Sequence, residues 1–228
     1  LVSRVITSAQ AKVEGQNFES RKHLLDYDDV LNQQREIIYN MRRKVLEDES
    51  DLTSQVLNKV ENSVSNIVVM NSEGEDLKDV DKKIIGELST IIPFDEKSQH
   101  HLFHQLESKK TIEEKTEFLN GIVLETQKQR IKNYGEEPLQ KIARIVMLTS
   151  LDNLWMDHLT AIDDLRTGIN LRGYAQKDPL VEYKNEAFGM FERLIVSIDD
   201  GIVSRFFRIN PAVSIPPEQL PKNITTNQ

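Results

Sequence analysis

Cysteine is absent from the 228 residues. That absence excludes a disulfide framework, a thiolate metal site and a cysteine nucleophile together. Glycine and proline are scarce, nine and seven residues, and unevenly placed. Neither occurs from Gln16 to Glu73, and four prolines (Pro211, Pro216, Pro217 and Pro221) crowd the last 18 residues. Aromatics are only 6%, with one Trp. No uninterrupted run of about 18 apolar residues is present to span a bilayer. The opening LVSRVITSAQ lacks the basic-then-apolar pattern of a leader. Basic residues number 29 against 37 acidic, a net charge of −8, which argues against a nucleic-acid-binding surface. The first methionine is Met41, so the chain is expected to be a piece of something longer.

What is there is helix. Long Glu/Lys/Gln/Leu-rich segments with so few breakers predict an all-α fold. In the first, Leu24, Leu31, Ile38 and Val45 recur every seven residues, with Tyr27, Val30, Ile37 and Met41 on the same side and Gln34 interrupting. A helix from about Val2 to Glu47 would be about 69 Å long at about 1.5 Å per residue. Such a rod either supports other domains or forms a coiled coil. Ser50 or Asp51 can cap a second helix carrying Val56, Val60, Val64, Ile67 and Val68. A third carries Leu77, Val80, Ile84, Leu88 and Ile91 and ends before Pro93. Residues 95–109 give a weaker helical pattern. Thr111 with Glu114 is a capping box that opens a helix ending near Tyr134-Gly135.

A helical hairpin follows. Its first arm starts around Pro138 and runs to about Gly168, with a stripe of Ile142, Ile145, Val146, Leu151, Leu154, Trp155, Ile162 and Leu165. Asp178-Pro179 caps and opens the second arm, which carries Tyr183, Ala187, Met190, Phe191, Leu194, Ile198 and Ile202. The connection, GINLRGYAQK, is longer than the usual helix–helix turn. It is locally basic on an acidic chain, which makes the tip the place to look for function. The divisions read as a long helix over 1–48, a small helical domain over 49–136, an antiparallel two-helix hairpin over 137–207 and an extended Pro-rich tail over 208–228.

Catalytic chemistry is hard to find in these residues. Gly168 and Gly173 have the spacing of the first half of a P-loop, but Tyr174 and Ala175 stand where Lys and Ser/Thr are needed. His100 and His104 lie i,i+4, yet zinc needs three or four ligands and no HExxH pattern occurs, so no metal site is expected. Asp26, Asp28 and Asp29 form an acidic patch, read either as a solvated face or as an ion-pairing surface, with Arg21, Lys22 and Arg35 within reach. Trp155 reads first as a packing residue and second as an interface anchor.

Three strings carry a resemblance. RKHLLDYDDVLNQQR (Arg21–Arg35) resembles the start of the helical scaffold of the SecA preprotein translocase ATPase family. LDNLWMDHL (Leu151–Leu159) resembles the first helix of its two-helix finger, and LRGYAQKDPLVEYKNEAFGMF (Leu171–Phe191) the finger's tip and second helix. The match is dense over 16–48 and 138–207; over 49–136 it rests on position and helical character. The resemblance implies a non-catalytic scaffold and wing fragment of an ATP-driven translocase whose RecA-like motor folds, with their ATP and Mg²⁺, lie elsewhere. It implies as partners the SecYEG channel, unfolded preprotein, the parent's own motor and preprotein-crosslinking domains, and anionic lipid. It implies a cytoplasmic location, peripheral to the bacterial inner membrane. By the same resemblance Tyr174 is the tip residue that meets the translocating chain, with Arg172, Gln176 and Lys177 beside it. Leu154, Trp155 and His158 belong to the regulatory helix, and Asp28, Asp29 and Arg35 face the motor. Family members often end in a Cys-rich zinc-binding tail, which this sequence does not show. The competing expectation is a free-standing helical adaptor or coiled-coil interaction module, resting on the seven-residue repeat.

Overall fold

The computed structural model describes residues 2–47, 51–72, 77–172 and 178–211, apart from the side chains of 19–20, 23, 77–79 and 170–172. All the regular structure among them is helical: α1 (Val2–Glu47), α2 (Leu52–Ser72), α3 (Leu77–Ile91), α4 (Glu96–Glu107), α5 (Ile112–Tyr134), α6 (Glu136–Arg172) and α7 (Pro179–Phe206). Tyr174, Gln176, Lys177 and the tail from 212 lie outside the described residues, and so does the Arg172 side chain.

The chain divides into two compact units. One comprises Leu1–Ser50 with Met147–Ile202, the other Asp51–Val146 with Val203–Gln228. The division falls inside α6 and α7.

In the second unit, α2 packs on α3 and α5, and α3 packs on α4. Val56, Val60, Val64 and Val68 recur every fourth residue along α2 and are all buried, the face that a period of 3.6 residues brings together. Caps set the helix starts. Asp51 Oδ1 accepts from Ser54 N at 3.1 Å, and Gln140 reaches across from α6 to the same carboxylate. Burial raises the Asp51 pKa, but the hydrogen bonds from Ser54, Gln140 and Thr53 outweigh it and leave the group below its usual range. Thr111 Oγ1 accepts from Glu114 N at 3.1 Å, while Glu114 Oε2 accepts from Lys110 N at 2.9 Å, one residue earlier than the reciprocal capping bond predicts. Gly135 ends α5 at φ +83°, in the left-handed region.

A buried ion pair joins α3 to α5: Lys115 Nζ lies 2.5 Å from Asp81 Oδ1, with both side chains under 9% exposed. Arg130 stacks over Phe206 and Phe207 at 4.8 and 5.2 Å and donates to the Ile209 carbonyl at 2.6 Å. Arg208 donates twice to the Thr90 carbonyl. The first residues of the expected extended tail, Arg208 and Ile209, are bound to this unit, because their guanidinium and carbonyl groups find partners at the end of α3 and on α5.

In the first unit, α6 and α7 form an antiparallel hairpin. Gly201 of α7 lies close to Ser150 and Leu154 near the start of the arm, while Tyr183 and Ile169 meet in a core cluster nearer its tip. α6 continues helically through Gly168 to Arg172, beyond the expected end at Gly168. A single glycine costs a helix interior only about 1 kcal/mol, and Ile169 is buried on the next position. Leu24 and Ile37 of the α1 stripe are exposed, 51% and 48%; Leu24 precedes Tyr27, the first α1 residue in the core cluster. Ile145 is 59% exposed, since at about 100° per residue it turns away from the buried side of α6 that carries Ile142, Val146 and Ser150.

Candidate functional site

The seam where α1 meets the hairpin concentrates the polar chemistry of the first unit. Tyr27, Val30 and Leu31 of α1 pack against Ile162 and Ile169 of α6 and Tyr183 and Ala187 of α7. The Tyr27 and Tyr183 rings lie 4.6 Å apart. Both phenols are pushed above their usual pKa, mainly by burial.

One turn further along α1 is Gln34. Its Nε2 donates to the Ala187 carbonyl at 3.1 Å, and its Oε1 lies 2.9 Å from His158 Nε2. Gln34 and His158 are 6% exposed and Trp155 is 5% exposed. A carbonyl can only accept, so the Gln34 amide nitrogen must face Ala187 and its oxygen must face His158. His158 therefore carries its proton on Nε2. Burial lowers the pKa of this ring, because a charged imidazolium would lose its hydration there. Trp155 stacks on the ring at a centroid distance of 5.5 Å and Phe191 approaches at 6.0 Å.

Two half-exposed ion pairs flank this centre. Arg166 Nη1 donates to Asp28 Oδ1 at 3.1 Å, and Arg42 Nε donates to Asp152 Oδ1 at 3.0 Å. Beside the second pair is a groove of about 530 Å³, lined by residues that include Tyr39, Arg43, Leu46 and Met156.

The structure thus brings His158, Trp155 and Asp28 into one seam. Arg35 turns to Asn32 of its own helix at 2.8 Å, and Asp29 is exposed. Leu154 is half-buried and reaches towards Gly201. His100 and His104 meet edge to face at 4.5 Å, and His104 Nδ1 lies 3.3 Å from Glu107. The described residues hold no group of three or more His, Asp or Glu placed for a metal ion. No described helix is long and apolar enough to cross a membrane. In the sequence alone, Gln34 only interrupts an apolar stripe. The usable signal was a second polar residue, His158, on the α6 stripe three positions after a tryptophan.

A long helix that receives a helical hairpin, with a small helical unit inserted between them in the chain, defines an all-α scaffold module. The family model described as SecA Wing and Scaffold domain matches residues 1–210, and the chain belongs to that family. Curated relatives named Protein translocase subunit SecA match it along most of its length. The protein from Heliobacterium modesticaldum is 38% identical over 94% of this chain and 25% of its own length. That from Desulforudis audaxviator is 39% identical over 96% of this chain and 24% of its own. That from Pelotomaculum thermopropionicum is 40% identical over 92% and 23%. The chain spans about a quarter of the length of these relatives.

Proposed function

We propose that this chain is the non-catalytic transmission part of a SecA-like translocase. It links ATP hydrolysis in motor domains that it does not itself contain to movement of unfolded preprotein through the SecYEG channel. The observation that carries this reading is the hairpin seated along α1 by a buried polar seam. A two-helix rod fixed on a longer rod moves its far end when its base is moved, and it needs no bond chemistry of its own. Several apolar residues on the first half of α1 (Val2, Val5, Ile6, Val13 and Phe18) are all more than half exposed. Of these, Val2, Val5, Ile6 and Val13 share one side of the helix, and an exposed apolar side of that kind favours docking against another domain, here the motor and preprotein-crosslinking domains of the parent.

The tip residues Tyr174, Arg172, Gln176 and Lys177 take the contact role. A phenol offers a rigid amphipathic surface with one hydrogen-bonding group, suited to loose contact with any passing sequence. The adjacent cations suit channel loops or anionic lipid. ATP and Mg²⁺ belong to the parent, and its location is the cytoplasmic face of the bacterial inner membrane. Transport and ATP turnover by the full-length protein carrying Tyr174→Ala test the reading. Transport falls while basal turnover persists; unchanged transport refutes the assignment of the tip. Calorimetric titration of this chain with Mg-ATP is expected to show no saturable binding, and saturable binding would place nucleotide chemistry within the fragment.

A further inference from the structure

The seam contains more order than a lever requires. Asp28 and Arg42 stand fourteen residues apart on α1, and their partners Arg166 and Asp152 stand fourteen apart on α6. The signs are exchanged: α1 supplies the acid at one end and the base at the other. If α6 ran in the opposite direction along α1, Asp28 would meet Asp152 and Arg42 would meet Arg166. Both ends would then be like-charge contacts. If α6 slid by seven residues in its present direction, Asp28, Gln34 and Arg42 would face Leu159, Leu151 and Ile145. Every polar tie would be lost and the buried Gln34 amide would be left without its imidazole.

The three ties differ in what they contribute. The outer pairs are half-exposed, and ion pairs in that setting stabilise by about 0–1 kcal/mol. They discriminate between arrangements more than they hold one. The central tie is buried, and leaving either member unpaired carries a desolvation penalty. A lone polar contact inside an apolar helix seam fixes register in the same way that a buried Asn does in a coiled coil.

We propose that Gln34, His158 and the Ala187 carbonyl form a register pin that locks the hairpin onto α1 in one axial position, and that protonation of His158 loosens it. Gln34 and His158 are positioning residues, acting on the tip only through the helices that they join. The proton sensitivity follows from what faces the ring. α6 presents Trp155, α7 presents Phe191, and α1 presents the neutral Gln34 amide, whose nitrogen is held by the Ala187 carbonyl. The charged groups of the seam, Asp28 with Arg166 and Arg42 with Asp152, are engaged with each other on either side, and Tyr27 and Tyr183 lie towards the Asp28 end. Burial alone accounts for the lowered pKa of the ring. A second ring proton would therefore charge the seam with no carboxylate among the described residues against it.

The inference rests on reading the hairpin as a lever, but its test uses this chain alone, so its failure would leave the translocase reading to the transport assay. Because the chain has no cysteine, spin labels can be placed cleanly at the exposed positions of Lys44→Cys on α1 and Asp164→Cys on α6. Pulsed electron–electron distance measurement should give one narrow peak near neutral pH. In Gln34→Met, and in the labelled but otherwise unchanged protein near pH 5, that single peak should be lost while helix content by circular dichroism is retained. A peak that stays single and narrow in both cases overturns the proposal. Should Gln34→Met fail to fold, nitrogen NMR of His158 in the unaltered protein decides. A neutral ring protonated on Nε2 near pH 7 supports the pin, and an Nδ1–H tautomer or a charged ring overturns it.

Discussion

Removing one member of the Asp81–Lys115 pair should damage the second unit far more than removing both. The two charges sit 2.5 Å apart with side chains 7% and 8% exposed. At an effective dielectric constant of about 20 their attraction is about 7 kcal/mol. Taking each ion out of water costs several kcal/mol, so the intact pair is close to neutral in net stability. Deleting one charge abolishes the attraction but leaves the other ion dehydrated, a loss of about 3–5 kcal/mol. Asp81→Leu or Lys115→Met alone should therefore destabilise the packing of α3 on α5 by that amount, while the double variant stays within about 1 kcal/mol of the parent protein. Amide hydrogen exchange of α3 and α5 peptides reads this locally, without assuming that the two units unfold together. A loss of 3 kcal/mol speeds exchange by roughly a hundredfold. If either single variant exchanges within about threefold of the parent, or the double variant is as fast as the singles, the reasoning about an uncompensated buried charge is refuted.

Gly135→Ala should cost about 1–3 kcal/mol through backbone strain. Its φ is +83°, and an added Cβ would meet only Pro138 Cδ at an ordinary 3.9 Å, so the penalty is conformational rather than steric. Thermal unfolding and exchange across the α5–α6 junction check it. His158 gives the first unit a pH dependence. Its folded pKa lies below the ordinary 6.5, so the unfolded chain takes up a proton first as pH falls. The stability linked to the neutral ring is present above about 6.5 and is lost between that value and the lower folded one. Denaturant titrations across this window, compared with His158→Phe, should show the steeper fall in the parent protein; equal slopes contradict the prediction.

Much of the architecture was legible because local signals act alone. The Gly- and Pro-free run around α1, the Thr111 cap and the Asp178-Pro179 start each specify a helix through their own backbone chemistry, and Leu180 N does donate to Asp178 Oδ1 at 2.9 Å. The weaker pattern over 95–109 resolves into α4, capped by Asp95, whose side chain accepts from Ser98 N. What was not legible depends on partners distant in the chain. Asp28 and Arg166 lie 138 residues apart, and Gln34 and His158 lie 124 apart. A single sequence offers no spacing rule that pairs them. Periodicity also says which residues share a face but not how far a neighbour extends along it. Leu24 therefore counts towards the stripe and still faces solvent.

On the proposed reading the hairpin tip meets the transported chain, and a crosslink tests that most directly. With Tyr174→Cys the only reactive thiol in this region of the full-length translocase, an arrested preprotein carrying a thiol-reactive probe should form a covalent adduct at position 174. The adduct should depend on ATP and on the channel. If the probe crosslinks elsewhere in the translocase while position 174 stays unmodified under the same conditions, the hairpin is not the element that reaches the substrate.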